Sequence, residues 1–354
     1  MGDFFEIDFI NVESKNGGDA ITIRYQIGES EYIHVIDGGY VETGEKIKSH
    51  IYKYYGNISY IDNVVLTHQD NDHAGGLRTI LEDFSVGTLW IHRPWIHADE
   101  LISFFTRYKS VENLSKRLKE IYSNAAALEE IALKKKIKMK EPFADDSIGH
   151  FKILSPTKEL YYHMILESDK TPDTISIESA VHSVISRIKE GANYVRAKWG
   201  QETFPDNGTT PENEMSVIQY AYLNNSKILL TGDAGRIALT DAYWNSQAIG
   251  ISLPGIDYFQ VPHHGSRHNV NSDLLDKWLG KKKNIRTESS FTAMISASKN
   301  DDTHPRNVVV RSLIHRGANV LATKGLNLRV QVNAPHRIDY YPARALDYPE
   351  DEEA

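Results

Sequence analysis

The segment Thr67-His68-Gln69-Asp70-Asn71-Asp72-His73-Ala74-Gly75-Gly76 sets two imidazoles and two carboxylates within six residues. Residues of these types at such density are ligands for a divalent cation. A packed core has no use for them, because ionised carboxylates are costly to bury without partners. A plain solvated loop would not account for the apolar run Asn63-Val64-Val65-Leu66-Thr67 that feeds the cluster, or for the two glycines after it. In an extended turn His68 and Asp70 point to one side while Asp72 and His73 serve a neighbouring position. Two further strand ends carry matching groups. Asp233 follows Leu229-Leu230-Thr231-Gly232, as suits a carboxylate shared by two metals, and Val261-Pro262-His263-His264-Gly265-Ser266 supplies two more imidazoles. The chemistry of such a set is hydrolysis by a metal-activated water.

Composition narrows the options. With no cysteine in 354 residues, disulfides and thiolate sites are excluded, so any metal rests on imidazole and carboxylate. The 15 histidines exceed what one centre needs, and only their positions separate ligands from bystanders. A net charge of −8 argues against extensive binding to a nucleic-acid backbone, but not against a local groove to which bound metals add positive charge. No run approaches the roughly 18 apolar residues of a membrane span. The opening Met-Gly-Asp-Phe-Phe-Glu lacks a basic region followed by an apolar one. A cytoplasmic protein without membrane contact is expected.

Strands are expected at 4–12, 20–27 and 32–36, the last running into Asp37-Gly38-Gly39, with a helix over 44–55. Spacings of three and four from Leu101 to Ile121 predict amphipathic helix over about 99–133, and a second such segment spans 176–199. The stretch 201–214 reads as loop. Strands return at 216–222 and 227–231, a hairpin across Asn224-Asn225, and at 258–261, 292–296, 320–322 and 328–332. Helices are expected at 234–249, 272–279 and 306–316. The Lys134–Lys140 run suits a solvated helix end or edge strand better than a nucleic-acid patch.

The HxDxDH pattern of His68, Asp70, Asp72 and His73 resembles the HxHxDH signature of the metallo-β-lactamase superfamily, with Asp70 in place of a histidine. That variant, followed by Ala-Gly-Gly, is most similar to the nuclease domain of ComEC-type DNA-uptake proteins and their soluble relatives. Further segments match that family in order: Ile7–Val12 with Gly18-Asp19-Ala20, His34–Gly39, Asn213–Ile218, Leu229–Ala234, Val261–Ser266, and Ile295-Ser296-Ala297 with Thr303-His304-Pro305. The resemblance implies an α/β fold, an αββα sandwich with helical insertions. The chain is expected to form one such domain over 1–345, with helical inserts at about 97–140 and 157–212 that have no counterpart in the family, and an acidic tail at 346–354 whose last residues, Tyr348 to Ala354, are expected to fray.

The same resemblance implies roles. His68 and Asp70 would hold a first metal, Asp72, His73 and His264 a second, with Asp233 between them. The superfamily's third histidine on the first metal is missing, and Asn213 or Glu214 lies near its place. Asp37 and Asn213 are expected behind ligands. Asp72, His263 and His304 are the expected catalytic residues, and Ser266 and Arg267 the substrate contacts. Carboxylate in place of imidazole shifts preference from Zn²⁺ towards Mn²⁺, so two divalent ions of either kind are expected. The implied function is a phosphodiesterase or nuclease acting on nucleic acid or a nucleotide. Alternatives are a hydrolase of a small ester, lactone or lactam, and a metal-binding signalling module that meets a protein partner through its helical inserts.

Overall fold

Along the strand Phe4–Phe9, Phe5, Ile7 and Phe9 face one way and Glu6 and Asp8 the other, the two-residue period of β structure. The apolar row packs against Phe151, Val217, Leu230 and Met294 of a second sheet. The acidic row is buried on the outer side, where Arg337 donates to Asp8 Oδ1 at 2.7 Å and to Glu6 Oε2 at 2.8 Å. The computed structural model describes residues 2–15, 17–171, 194–340 and 342–353.

In spatial order, the first sheet runs Leu328–Val332, Phe4–Phe9, Ala20–Ile27, Ser30–Gly38, Tyr60–Val65, Ser85–Trp90 and Lys138–Lys140. The second runs Ala318–Ala322, Phe291–Ile295, Tyr258–Gln260, Ser226–Leu230, Ile218–Leu223, Phe151–Ser155 and Ser147–Ile148. Both are mixed. Ser30–Gly38, Tyr60–Val65, Ser85–Trp90 and Lys138–Lys140 are mutually parallel, as are Ser226–Leu230, Tyr258–Gln260, Phe291–Ile295 and Ala318–Ala322. Helices Thr43–Tyr54, Leu77–Asp83, Val111–Ile121, Ser123–Lys135 and Lys158–Glu167 cover the first sheet, and Arg236–Ala248, Ser272–Leu279 and Asn307–His315 the second. The result is the expected αββα sandwich.

Several expectations need correction. The helical stretch over 99–133 is broken into Ala98–Leu101, Val111–Ile121 and Ser123–Lys135, with Ser110 capping the second by accepting from the Asn113 amide. Of the amphipathic segment expected over 176–199, residues 176–193 lie outside the described residues. The chain at Tyr194–Arg196 is a strand, paired antiparallel with Asp351–Glu353. The acidic tail therefore does not fray. Helix Asn307–His315 has no side-chain cap from Arg306, and the buried Glu353 carboxylate supplies it, accepting from the amides of Asn307 at 2.8 Å and Val308 at 3.1 Å. The lysine run has structural uses. Lys135 Nζ donates to the carbonyls of Leu81, Glu82 and Phe84, and Lys138 and Lys140 lie on an edge strand, where charge blocks strand addition.

The carboxyl ends of the parallel strands meet at one rim of the sandwich, where Asp37 stands near the end of Ser30–Gly38 and the loops carry His68, Asp233, His263, His264 and His304. Two glycine pairs hold this rim together. A Cβ on Gly76 would collide with the Gly38 carbonyl, and one on Gly75 would lie 2.7 Å from the Val41 amide nitrogen. The loop of His68–His73 therefore packs backbone to backbone on the turn after Asp37. Gly76→Ala is expected to force the two apart, costing about 1–3 kcal/mol as overpacking does. It should also lower the metal content, both measurable by thermal denaturation and elemental analysis.

Candidate metal centre

Five imidazoles at this rim share one arrangement: a partner holds Nδ1, and Nε2 is left for something else. His73 Nδ1 donates to Asp37 Oδ2 at 2.7 Å. His264 Nδ1 donates to the Ser296 carbonyl at 2.9 Å. His68 Nδ1 lies 3.2 Å from Thr67 Oγ1, whose own proton goes to Asp37 Oδ2 at 2.6 Å. His263 Nδ1 faces Asn269 Oδ1 at 3.0 Å, and Asn269 Nδ2 is committed to the Asp233 carbonyl at 2.8 Å. His304 Nδ1 donates to Asp301 Oδ2 at 2.8 Å. Anchoring one ring nitrogen fixes the tautomer and aims the other, as carboxylates and carbonyls do behind metal-bound histidines.

The aimed nitrogens gather around Asp233. Its Oδ2 lies 3.4 Å from His73 Nε2, 3.7 Å from His263 Nε2 and 3.9 Å from His68 Nε2. His264 Nε2 lies 3.7 Å from Asp72 Oδ2. Ligand atoms of His68, His73 and Asp233 fall within 4.8 Å of one another, as do those of Asp72, His73 and His264. The backbone is strained to achieve this: His263 and His264 both have positive φ, 49° and 57°, ahead of Gly265 at 83°. Side chains with a Cβ adopt that region at a cost, and such outliers concentrate at functional sites.

The Nε2 atoms of His68, His73 and His264 and Oδ1 of Asp233 are buried without any hydrogen-bond partner. Bare buried lone pairs beside a bare carboxylate oxygen are costly unless a cation sits among them, so this donor set fits divalent metal. The electrostatics agree. Burial alone would depress the His264 imidazole, but Asp233, Asp72 and Asp19 outweigh it and push its pKa up to about 9. His73, against the same opposition from burial, is raised by Asp233 and Asp37. A proton serves as a substitute cation there.

The expected residues are brought together unevenly. Asp37 stands behind His73 and also accepts from the Thr67 amide at 2.8 Å. Asp70 begins the short helix Asn71–Ala74 without a side-chain cap; its Oδ1 accepts from Lys170 Nζ at 3.2 Å and its Oδ2 lies 3.9 Å from His68 Nε2. Asn213 Nδ2 donates to Thr209 Oγ1 at 2.6 Å and lies 3.1 Å from His263 Nδ1, so it stands behind that ring. Glu214 does not take the missing ligand's place. Its buried carboxylate accepts from the amides of Ile237 at 3.2 Å and Ala238 at 2.8 Å, capping helix Arg236–Ala248, and burial pushes its pKa up to about 7. Ser266 and Arg267 are buried in the loop after His264, with Ser266 Oγ accepting from the His268 amide at 3.3 Å.

Two members of the site were missed as site residues. Asp19 is buried, and ligand atoms of Asp19, Asp37 and His73 fall within 4.8 Å of one another. Gln260 Nε2 donates to its Oδ2 at 2.8 Å, and burial pushes its pKa up to about 6. Its only signal in the sequence is the Gly18-Asp19-Ala20 match. Asp301, three residues before His304, is betrayed by that spacing alone.

Residues 20–125 match the family model of the metallo-beta-lactamase superfamily. No curated protein matches the chain. Among solved structures it is similar to Zn(2+)-bound PqqB from Methylobacterium extorquens, at 11% identity and a TM-score of 0.40 over 91% of this chain and 99% of that one. It is also similar to a diphosphatase from the PhnP family, at 11% identity and a TM-score of 0.37 over 93% and 98%. A third is AidC, a dizinc quorum-quenching lactonase, at 13% identity and a TM-score of 0.27 over 61% and 56%.

Without bound metal, protons are the cations open to these imidazoles, which fixes a pH dependence. A histidine whose folded pKa is raised stabilises the metal-free fold fully below its unfolded value of about 6.5. That stability is lost as pH rises through about 9, the value for His264. Protons and metal compete for the same nitrogens. The gain in melting temperature on adding Zn²⁺ or Mn²⁺ to chelator-treated protein should therefore be small at pH 6 and grow towards pH 9, as differential scanning fluorimetry would show.

Proposed function

We propose that the protein is a metal-dependent hydrolase, specifically a phosphodiesterase acting on nucleic acid or a nucleotide. In this reading His68, Asp70 and Asp233 hold one divalent ion, and Asp72, His73, His264 and Asp233 a second, Mn²⁺ or Zn²⁺. Bound there, such ions supply Lewis acidity and bring the pKa of a water towards neutrality.

The observation that carries the phosphodiesterase reading is the His304–Asp301 pair. It stands apart from the proposed ligands, with the His304 ring stacked beside His263 at 6.3 Å between centroids. Cleaving a phosphodiester forms a bond from water oxygen to phosphorus and breaks the bond to the leaving alkoxide, which must gain a proton. Asp301 holds Nδ1 of His304 and leaves Nε2 to deliver that proton. Burial holds the ring's pKa below its usual value, against the pull of Asp301, so the resting imidazole is neutral. It delivers a proton it has first collected from the attacking water, and Asp301 stabilises the imidazolium in between. His263, fixed by Asn269 and Asn213, flanks the same opening.

The resemblance of HxDxDH and His-His-Gly-Ser to ComEC-type nucleases supports this reading.

Assays on bis-(p-nitrophenyl) phosphate, single-stranded DNA, RNA and cyclic nucleotides, with Mn²⁺ and Zn²⁺ in turn, test the proposal. Turnover of at least one, abolished by chelation, is expected; metal-dependent turnover only of carboxylic esters or lactams would refute it. His304→Ala should retain the metal and lose roughly 10²–10⁴ in kcat, the range for a positioned proton-transfer group. Asp301→Asn should lose less, and an activated nitrophenolate leaving group should suffer less than a natural one.

A further inference from the structure

We propose that Lys170 is a specificity-determining residue, its ammonium binding a non-bridging oxygen of an anionic substrate at the open side of the first metal site. This rests on the phosphodiesterase reading and deepens it.

Asp70 divides its two oxygens. Oδ2 faces His68 Nε2 at 3.9 Å, and Oδ1 accepts from Lys170 Nζ at 3.2 Å. A second carboxylate, Glu212, has Oε1 4.0 Å from the same ammonium. Lys170 is thus held against a proposed metal ligand, Asp70, and a buried carboxylate, Glu212.

The turn that carries Lys170 is built to hold it. Ser168 Oγ accepts from the Lys170 amide at 3.1 Å and donates to Glu212 Oε1, while the Thr171 amide donates back to the Ser168 carbonyl at 2.9 Å. Ser168, Thr171 and Glu212 are all buried. From this buried turn the lysine side chain emerges 47% exposed, and the Asp70 side chain is 35% exposed. The turn also closes helix Lys158–Glu167, whose C-cap is Ser168, and an ion pair as open as Lys170–Asp70 adds little to stability. An ammonium has three donors, and a carboxylate at 3.2 Å with another at 4.0 Å leaves one of them uncommitted on a half-exposed side chain. A phosphodiester brings one negative charge beside carboxylates that repel it, and a fixed ammonium among them offsets that repulsion and selects for the anion. A neutral ester gains nothing from it.

The competing role is purely positional: Lys170 orients Asp70 for its metal and never meets substrate. Three readouts on the metal-loaded full chain separate the two. Lys170→Ala is expected to keep the wild-type metal content, to weaken binding of inorganic phosphate about tenfold by calorimetry, and to raise KM for bis-(p-nitrophenyl) phosphate by a similar factor, with a smaller change in kcat. Lys170→Arg should recover most of the affinity for phosphate. Loss of metal in Lys170→Ala, or a fall in kcat with phosphate affinity and KM unchanged, would overturn the proposal in favour of the positional role. The phosphate titration keeps the two ideas apart. A wild-type protein that cleaves no phosphodiester refutes the proposed function, while phosphate affinity independent of residue 170 refutes the role of Lys170.

Discussion

Asp233 is buried, and of its two oxygens one has no hydrogen-bond partner at all. Around it stand three imidazoles whose outward nitrogens are equally bare. Such a set repels itself and cannot be solvated, so the folded chain tolerates it only with positive charge in its midst. Most features of the rim follow from that demand. The Nδ1 anchors from Asp37, Thr67, Ser296 and Asn269 hold the rings so that their bare nitrogens converge. The left-handed backbone at His263 and His264 is accepted because it delivers two rings from consecutive residues.

The sandwich meets the demand by topology. Parallel strands end together, so residues far apart in sequence arrive at one rim without any strand having to bend. Each sheet contributes half: Asp37 and the His68–His73 loop come from the first, and Asp233, His263, His264 and His304 from the second. The apolar layer between the sheets fixes their separation, and glycines at 38 and 76 let the two loops of the first sheet touch. On the outer side, the Glu353 carboxylate closes the start of the helix that follows His304.

What could be read in the sequence was what is local. His68 to His73 announce themselves because four ligating types crowd one turn, and strands such as Ala20–Ile27 follow from their apolar pattern. Helix Ser272–Leu279 follows from its periodicity. Partnerships across long separations left no such trace. Gln260 reaching Asp19, Lys170 reaching Asp70 and Glu353 capping Asn307 each join residues that only the fold brings together. Glu214 was misplaced for the same reason: a carboxylate near a ligand position in sequence turned out to serve a helix start instead. The tail seemed too acidic to pack, yet its charges are what an uncapped helix required.

The central claim is that Asp233 is the shared carboxylate on which metal binding and turnover both depend. Elemental analysis of purified Asp233→Asn beside the wild type, with circular dichroism as the check on folding, addresses it most directly. The account predicts a wild type that retains divalent metal and a folded variant that has lost metal and phosphodiester hydrolysis together. A folded Asp233→Asn protein with full metal occupancy, or a wild type that binds no divalent metal, would contradict it.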